Sequence, residues 1–112
     1  MKITKQNFQD IAKMLGYQVE LEFKFCPTRR FRADWKVSKG EKSCLVEYEG
    51  MPLMANKKSR HVTLQGYTSD CNKYNLAQIL GYPVFRYTVL SFDYVVGDLE
   101  NFFSKNDEEK KP

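Results

Sequence analysis

A chain of 112 residues with 42% hydrophobic and 14% aromatic residues is long enough for one folded domain with a modest core. Its net charge is only +4, no apolar run approaches the roughly 18 residues of a membrane span, and the first ten residues lack a signal-peptide core, so a cytoplasmic location without membrane contact is expected. The three cysteines form no CxxC pair, which argues against a disulfide framework or a zinc knuckle and predicts Cys44 and Cys71 as core residues.

Residues 4–15 are predicted to form the first helix. Four apolar side chains recur on one face at helical spacing, namely Phe8, Ile11, Ala12 and Leu15. Thr4 is suited to cap the start of this helix, and Gly16 is suited to end it.

Three strands are predicted next, over residues 17–25, 31–37 and 43–49. The first alternates apolar with charged residues and is expected to bury one face, made of Val19, Leu21, Phe23 and Phe25. The third is nearly all apolar until Glu47, which predicts a central place in the sheet. The polar residues 38–42 predict a tight turn between the second and third strands.

A segment without a clear period, 50–65, precedes a second predicted helix over residues 67–80. Thr68 or Ser69 is suited to cap this helix. Its apolar face is expected to comprise Tyr67, Cys71, Tyr74, Ala77 or Gln78, and Leu80.

A short strand over residues 83–88 and a last amphipathic helix over residues 91–104 complete the predicted domain, 1–104. The inward residues expected for this helix are Tyr94, Val95, Leu99, Phe102 and Phe103. The charged tail 105–112 is expected to be disordered. The order α-β-β-β-α-β-α predicts an α/β fold with a mixed central sheet and helices on both faces.

Acidic residues stand inside the predicted strands, where such residues are normally rare. Asp34 lies on the second strand, and Glu47 and Glu49 lie on the third. Because antiparallel neighbours are about 4.8 Å apart, two inward carboxylates can share one cation, and hard oxygen ligands favour Mg²⁺ or Mn²⁺. Glu22 on the first strand is a further candidate ligand. The alternative is that these acids form surface salt bridges to nearby arginines.

Positive charge surrounds the acids. Between residues 24 and 60 the chain has ten Lys or Arg against four Asp or Glu, whereas the remainder has eight basic and ten acidic residues. This pattern is typical of a phosphate-binding surface, and equally of an ordinary solvated one. The residues expected to grip a nucleic-acid backbone are Arg29, Arg30, Arg32, Lys57, Lys58 and Arg60.

An Asp on the second strand and Glu-x-(Glu/Lys) on the third, within an αβββαβ order, resemble the PD-(D/E)XK nuclease superfamily over about residues 4–90. Segment 22–34 is similar to the opening E-x-x-F-x-P-x-R-x-W-R-x-D of its small phage and bacterial members, and segment 45–50 to their A-V-E-x-E-G. The blocks that follow G-R-H…G-x-x-x-D-x-x-K-Y-N-x-A-x-x-x-G-W-x-V-L-R are 59–61, Gly66, Asp70, 73–75 and 81–86.

The resemblance implies a Mg²⁺- or Mn²⁺-dependent DNA endonuclease with a restriction-endonuclease-like core. Asp34 and Glu47 would bind the metal, and Glu22 and Glu49 would assist. The usual catalytic lysine, two residues after the Glu, is here Glu49. In some family members this lysine comes from the next helix, where this chain has Lys73.

Two residues keep an alternative interpretation. Lys73 is suited to stabilise the phosphate transition state, but a surface ion pair with Asp70 is also compatible with its spacing. His61, the single histidine, corresponds to a position near the family's active site. It is interpreted either as a phosphate contact or proton-transfer group, or as an ordinary loop histidine.

With no helix-turn-helix or zinc motif to read a sequence, recognition of a DNA shape is expected. A homodimer with two symmetric sites that cuts branched DNA, such as a Holliday junction, is the leading prediction. The alternatives are a mismatch- or site-nicking enzyme similar to very-short-patch repair endonucleases, and a nuclease fold that binds nucleic acid without cutting it. Only the resemblance implies a phage or mobile-element origin.

Overall fold

The computed structural model of the protein describes residues 2–50 and 63–104. The predicted order of elements is observed. The elements are α1 (Phe8–Met14), β1 (Gln18–Lys24), β2 (Arg32–Lys39), β3 (Lys42–Gly50), α2 (Leu64–Ile79), β4 (Val84–Thr88) and α3 (Val95–Ser104), with a 3₁₀ turn over Phe92–Tyr94. None of the helices in these two ranges is long and apolar enough to cross a membrane. The predicted disorder of 105–112 lies outside the described residues.

The four strands form one mixed sheet in the order β1-β2-β3-β4. β1 and β2 are antiparallel, as are β2 and β3, whereas β3 and β4 are parallel. The parallel pair requires the crossover through α2, and β3 occupies the central place predicted for it. The tight turn between β2 and β3 contains Gly40, whose φ of +62° lies in the left-handed region that favours glycine.

The main core lies on the face of the sheet that α1 and α3 cover, and Phe92 is at its centre. The ring of Phe92 is 4.9–5.9 Å, centroid to centroid, from the rings of Phe8, Trp35, Tyr48 and Tyr87. Trp35 of β2 is buried in this core, and Tyr48 of β3 packs against it. The other face of the sheet carries α2 and a smaller core that includes Phe25, Leu45 and Ala77.

The prediction that β1 buries one continuous apolar face is wrong. Val19 packs against the main core, Phe23 and Phe25 pack in the smaller core on the opposite face, and Leu21 is 55% exposed. The reason is Glu22, whose φ of +51° lies in the left-handed region and reverses the alternation of the strand. This backbone conformation costs a non-glycine residue about 1–2 kcal/mol.

Only part of the predicted apolar face of α2 turns to the sheet, namely Tyr74 and Ala77, whereas Leu80 is exposed. Thr63 caps the helix by accepting a hydrogen bond from the Gly66 amide at 2.9 Å, earlier than the predicted caps. Tyr67 and Cys71 are exposed, which contradicts the prediction of Cys71 as a core residue, whereas Ala77 is fully buried. α2 turns a largely polar face to the sheet, because that face contacts carboxylates on β3.

The helices on the main-core side differ from prediction mainly at their ends. α1 begins at Phe8, after a turn in which Thr4 and Asn7 exchange side chain-to-backbone hydrogen bonds of 2.8 and 3.1 Å. Leu15 follows the last helical turn and is exposed. Tyr94 is also exposed, because the 3₁₀ turn has about three residues per turn and places Phe92 inward instead.

The central position of Phe92 predicts a large stability difference between two neighbouring substitutions. Phe92→Ala removes a buried ring with four aromatic contacts and should lower the free energy of unfolding by about 3–5 kcal/mol. Tyr94→Ala, in the same turn, should change it by less than about 0.5 kcal/mol. Urea unfolding followed by circular dichroism and by the fluorescence of the single tryptophan measures both. Similar losses for the two variants would contradict this account of the core.

Candidate functional site

The strands β2 and β3 separate where the predicted acids stand. The regular ladder ends at the pair Trp35–Val46. Beyond it, the Asp34 amide donates to Glu47 Oε2 at 2.9 Å, and the Tyr48 amide donates to Asp34 Oδ2 at 2.8 Å. Each carboxylate therefore accepts a backbone N–H that the ladder no longer pairs, and the two acids are held side by side.

Glu47 is almost completely removed from water, with 7% of its surface exposed. Lys73 on α2 forms an ion pair with it, with Nζ 3.0 Å from Oε1. Burial raises the pKa of the Glu47 carboxyl above its usual 4.5, Lys73 opposes the rise, and the charge of Asp34 adds to it. Of the two interpretations of Lys73, the geometry favours the one that places it at the acids, because it forms an ion pair with Glu47.

Glu49 faces α2, as Glu47 does. This is expected for two residues that are two positions apart on one strand. Its Oε2 accepts hydrogen bonds from the Tyr74 hydroxyl at 3.0 Å and from Arg86 Nε at 2.9 Å. The Tyr74 hydroxyl is also 3.4 Å from Glu47 Oε1. Burial raises the pKa of Tyr74, and the two glutamates add to the rise, so the phenol keeps its proton and acts as a donor.

Sequence reasoning assigned no site role to Tyr74 or Arg86. Tyr74 was interpreted as part of the apolar face of a helix, although it follows Lys73 directly. Arg86 lies opposite Glu47 in the parallel register of β3 and β4, a pairing that only the crossover connection creates. Two signals were available. Both Tyr74 and Arg86 lie in the blocks quoted for the resemblance, K-Y-N and G-W-x-V-L-R, and Arg86 stands between Phe85 and Tyr87, where a single polar residue in an alternating strand faces the side opposite to its neighbours.

Glu22 takes the position opposite Asp34 in the β1–β2 register, between the pairs Leu21–Trp35 and Phe23–Ala33. It is exposed and is not brought into one ligand cluster with the other acids. Within residues 2–50 and 63–104, no group of three or more His, Cys, Asp or Glu side chains is arranged to hold a metal ion.

Two carboxylates are nevertheless a suitable donor set for Mg²⁺, which commonly uses one or two protein carboxylates together with waters and substrate phosphates. The Tyr48 amide binds Asp34 Oδ2, and no donor among the described residues binds Oδ1. Glu47 Oε1 is shared between side chains, whereas its Oε2 is used by the backbone. Asp34 and Glu47 therefore fit a hard divalent cation.

The predicted basic residues divide into two groups. Arg29, Arg30 and Arg32 are exposed at the start of β2 and just before it, and the guanidinium of Arg29 lies 4.6 Å above the ring of Phe31. The others lie outside the described residues, as does the predicted site histidine. These are Lys57, Lys58, Arg60 and His61.

The raised pKa of Glu47 predicts how stability depends on pH. A carboxyl whose folded pKa lies above its unfolded value stabilises the fold at low pH and loses that contribution as the pH rises through the folded pKa. Glu47→Gln cannot ionise, so in EDTA its melting temperature relative to the wild type should increase as the pH rises from about 4 to 7.

Thermal unfolding at several pH values, with Glu20→Gln as an exposed control, measures this difference. The assignment is wrong if Glu47→Gln instead loses stability relative to the wild type as the pH rises.

Searches of protein-family models, of curated proteins and of solved structures found no match for this chain. The resemblance to PD-(D/E)XK nucleases stays a prediction. The contacts of Asp34, Glu47 and Lys73 are the observations from which a function can be inferred.

Proposed function

We propose that the chain is a divalent-metal-dependent DNA endonuclease with the restriction-endonuclease-like core of PD-(D/E)XK nucleases. The observation that carries this proposal is the meeting of Asp34 and Glu47 where β2 and β3 separate, with Lys73 Nζ 3.0 Å from Glu47 Oε1. Phosphodiester hydrolysis requires anionic oxygens to hold a metal ion and a cation near the charge that develops on the phosphate. The corner of the sheet where β2 and β3 separate has both the anionic oxygens and the cation.

Each side chain has a separate task. Asp34 and Glu47 would hold Mg²⁺ or Mn²⁺, which, when bound, supplies Lewis-acid polarisation of the phosphodiester. Lys73 stabilises the pentavalent phosphate or orients the attacking water, and it takes the place of the lysine that is missing at residue 49. The hydrogen bonds from the backbone of β2 and from Lys73 keep the Glu47 carboxylate in one orientation before substrate binds.

DNA is the proposed substrate class because exposed arginines stand at the start of β2, the strand that carries Asp34. Arg29, Arg30 and Arg32 are suited to phosphate contacts, which give affinity without base specificity. A branched DNA, such as a Holliday junction cut by a homodimer, is the substrate we propose. A mismatch- or site-nicking activity is the alternative within the same chemistry.

A second candidate function is nucleic-acid binding without cleavage. The observation that favours it is that two of the acids, Glu47 and Glu49, are already satisfied by protein groups. Glu47 accepts from a backbone amide and from Lys73, and Glu49, which replaces the usual lysine, accepts from Tyr74 and Arg86. Such a network stabilises the fold without any metal ion.

The enzymatic proposal predicts that Asp34→Asn, Glu47→Gln and Lys73→Gln each lower cleavage by about 100-fold or more, since each removes a metal ligand or the transition-state cation. Cleavage of Holliday-junction, flap, mismatched and linear DNA with Mg²⁺ or Mn²⁺ is the measurement. Glu20→Gln is the matched control, because this exposed carboxylate on β1 is paired only with Lys36 at 3.6 Å among the described residues.

Unimpaired cleavage by both Asp34→Asn and Glu47→Gln would refute the site. A wild-type protein that binds these DNAs tightly but cuts none of them with either metal would favour the binding module.

A further inference from the structure

Arg86 is held rigidly beside the acids although much of its side chain is in water. Its Nε donates to Glu49 Oε2 at 2.9 Å, and its guanidinium lies 4.0 Å above the ring of Tyr74. Its side chain is 47% exposed, whereas that of Glu49 is 10% exposed. The carboxylate fixes one edge of the guanidinium and the ring fixes its plane, so the orientation of Arg86 is set before any ligand arrives.

Most of the hydrogen-bonding capacity of Arg86 is not used by the protein. A guanidinium has five N–H donors, and Glu49 takes the one on Nε. Within the described part of the chain, no acceptor binds the four N–H groups of the two terminal nitrogens. A planar fork of this kind matches two oxygens of a phosphate, and its prior ordering removes much of the entropy cost of binding.

The position of Arg86 connects this capacity to the site. In the parallel register of β3 and β4 it lies directly opposite Glu47, the residue that also contacts Lys73. A phosphate that approaches this corner meets the carboxylates of Asp34, Glu47 and Glu49, and the negative charge of Asp70 also acts on Arg86. Among the described residues, Lys73 contacts Glu47 and Arg86 contacts Glu49, and Arg86 is the more exposed of these two cations. An anionic ligand can therefore reach Arg86 from the solvent.

We propose that Arg86 is a phosphate-binding residue that takes a nucleic-acid phosphate adjacent to the one placed at Asp34 and Glu47. The identity of the ligand as nucleic acid rests on the proposed function, whereas the role of Arg86 does not require cleavage. The competing account is that Arg86 only neutralises Glu49. In that account its exposed edge has no ligand.

A DNA-binding experiment under conditions without catalysis distinguishes the two accounts. Fluorescence anisotropy with a labelled Holliday junction in EDTA gives the dissociation constant between about 50 and 200 mM salt. We expect Arg86→Gln to weaken binding about tenfold and to reduce the salt slope by about one, as for the loss of one phosphate contact. Lys13→Gln, an exposed charge on α1 across the sheet, is the control for net charge and should bind like the wild type.

The double variant Glu49→Gln with Arg86→Gln decides between them. It removes the carboxylate that Arg86 neutralises, and it leaves an uncharged glutamine at each of the two positions, on β3 and on β4. If Arg86 binds phosphate, the double variant stays as weak as Arg86→Gln. If Arg86 only neutralises Glu49, the double variant regains wild-type affinity. It also carries the test should Arg86→Gln alone fail to fold, because it leaves no buried carboxylate without a partner.

Wild-type affinity and slope for Arg86→Gln, restored affinity for the double variant, or a wild-type protein that does not bind DNA would each overturn the assignment. Because the measurement is made in EDTA, a failure of the protein to cleave DNA with Mg²⁺ or Mn²⁺ would contradict the proposed nuclease function and leave the binding result intact.

Discussion

The separation of β2 and β3 is the constraint on which the rest of the site depends. Past the pair Trp35–Val46 the strands no longer satisfy each other, so the amides of Asp34 and Tyr48 need acceptors of another kind. The carboxylates of Glu47 and Asp34 supply them. Acids in these strands are therefore compatible with the fold, and the same contacts hold two carboxylates at one edge of the opening.

The two faces of the sheet consequently differ in their tasks. The face covered by α1 and α3 contains the aromatic cluster around Phe92 and most of the fully buried side chains. The face covered by α2 has a smaller core and brings Lys73 and Tyr74 to the acids. The backbone strain at Glu22 and the buried carboxylate of Glu47 both lie around this opening. The main core supplies the stability that compensates for both.

Local sequence patterns predicted the order of elements and the central place of β3, because hydrophobic periodicity reflects which face an element buries. They were wrong at Glu22, because its left-handed backbone conformation reverses the alternation of β1 and the residue types of the strand do not reveal it. They were wrong on part of α2, since its inward face is determined by the carboxylates on β3 as well as by apolar contacts. Arg86 was missed because its neighbour Glu47 is distant in sequence and is brought close only by the parallel crossover.

The charge of Glu47 is more than the fold requires. A glutamine could accept the Asp34 amide equally well, and a buried ion pair is often no more stable than well-packed neutral side chains. Burial raises the pKa of Glu47 even with Lys73 beside it, so the ionised form is less favourable in the folded chain than in water. Lys73, in turn, has its partly buried ammonium against that carboxylate. Opposite charges that fold stability alone does not call for are what the proposed ligand, a phosphate with its divalent cation, would require.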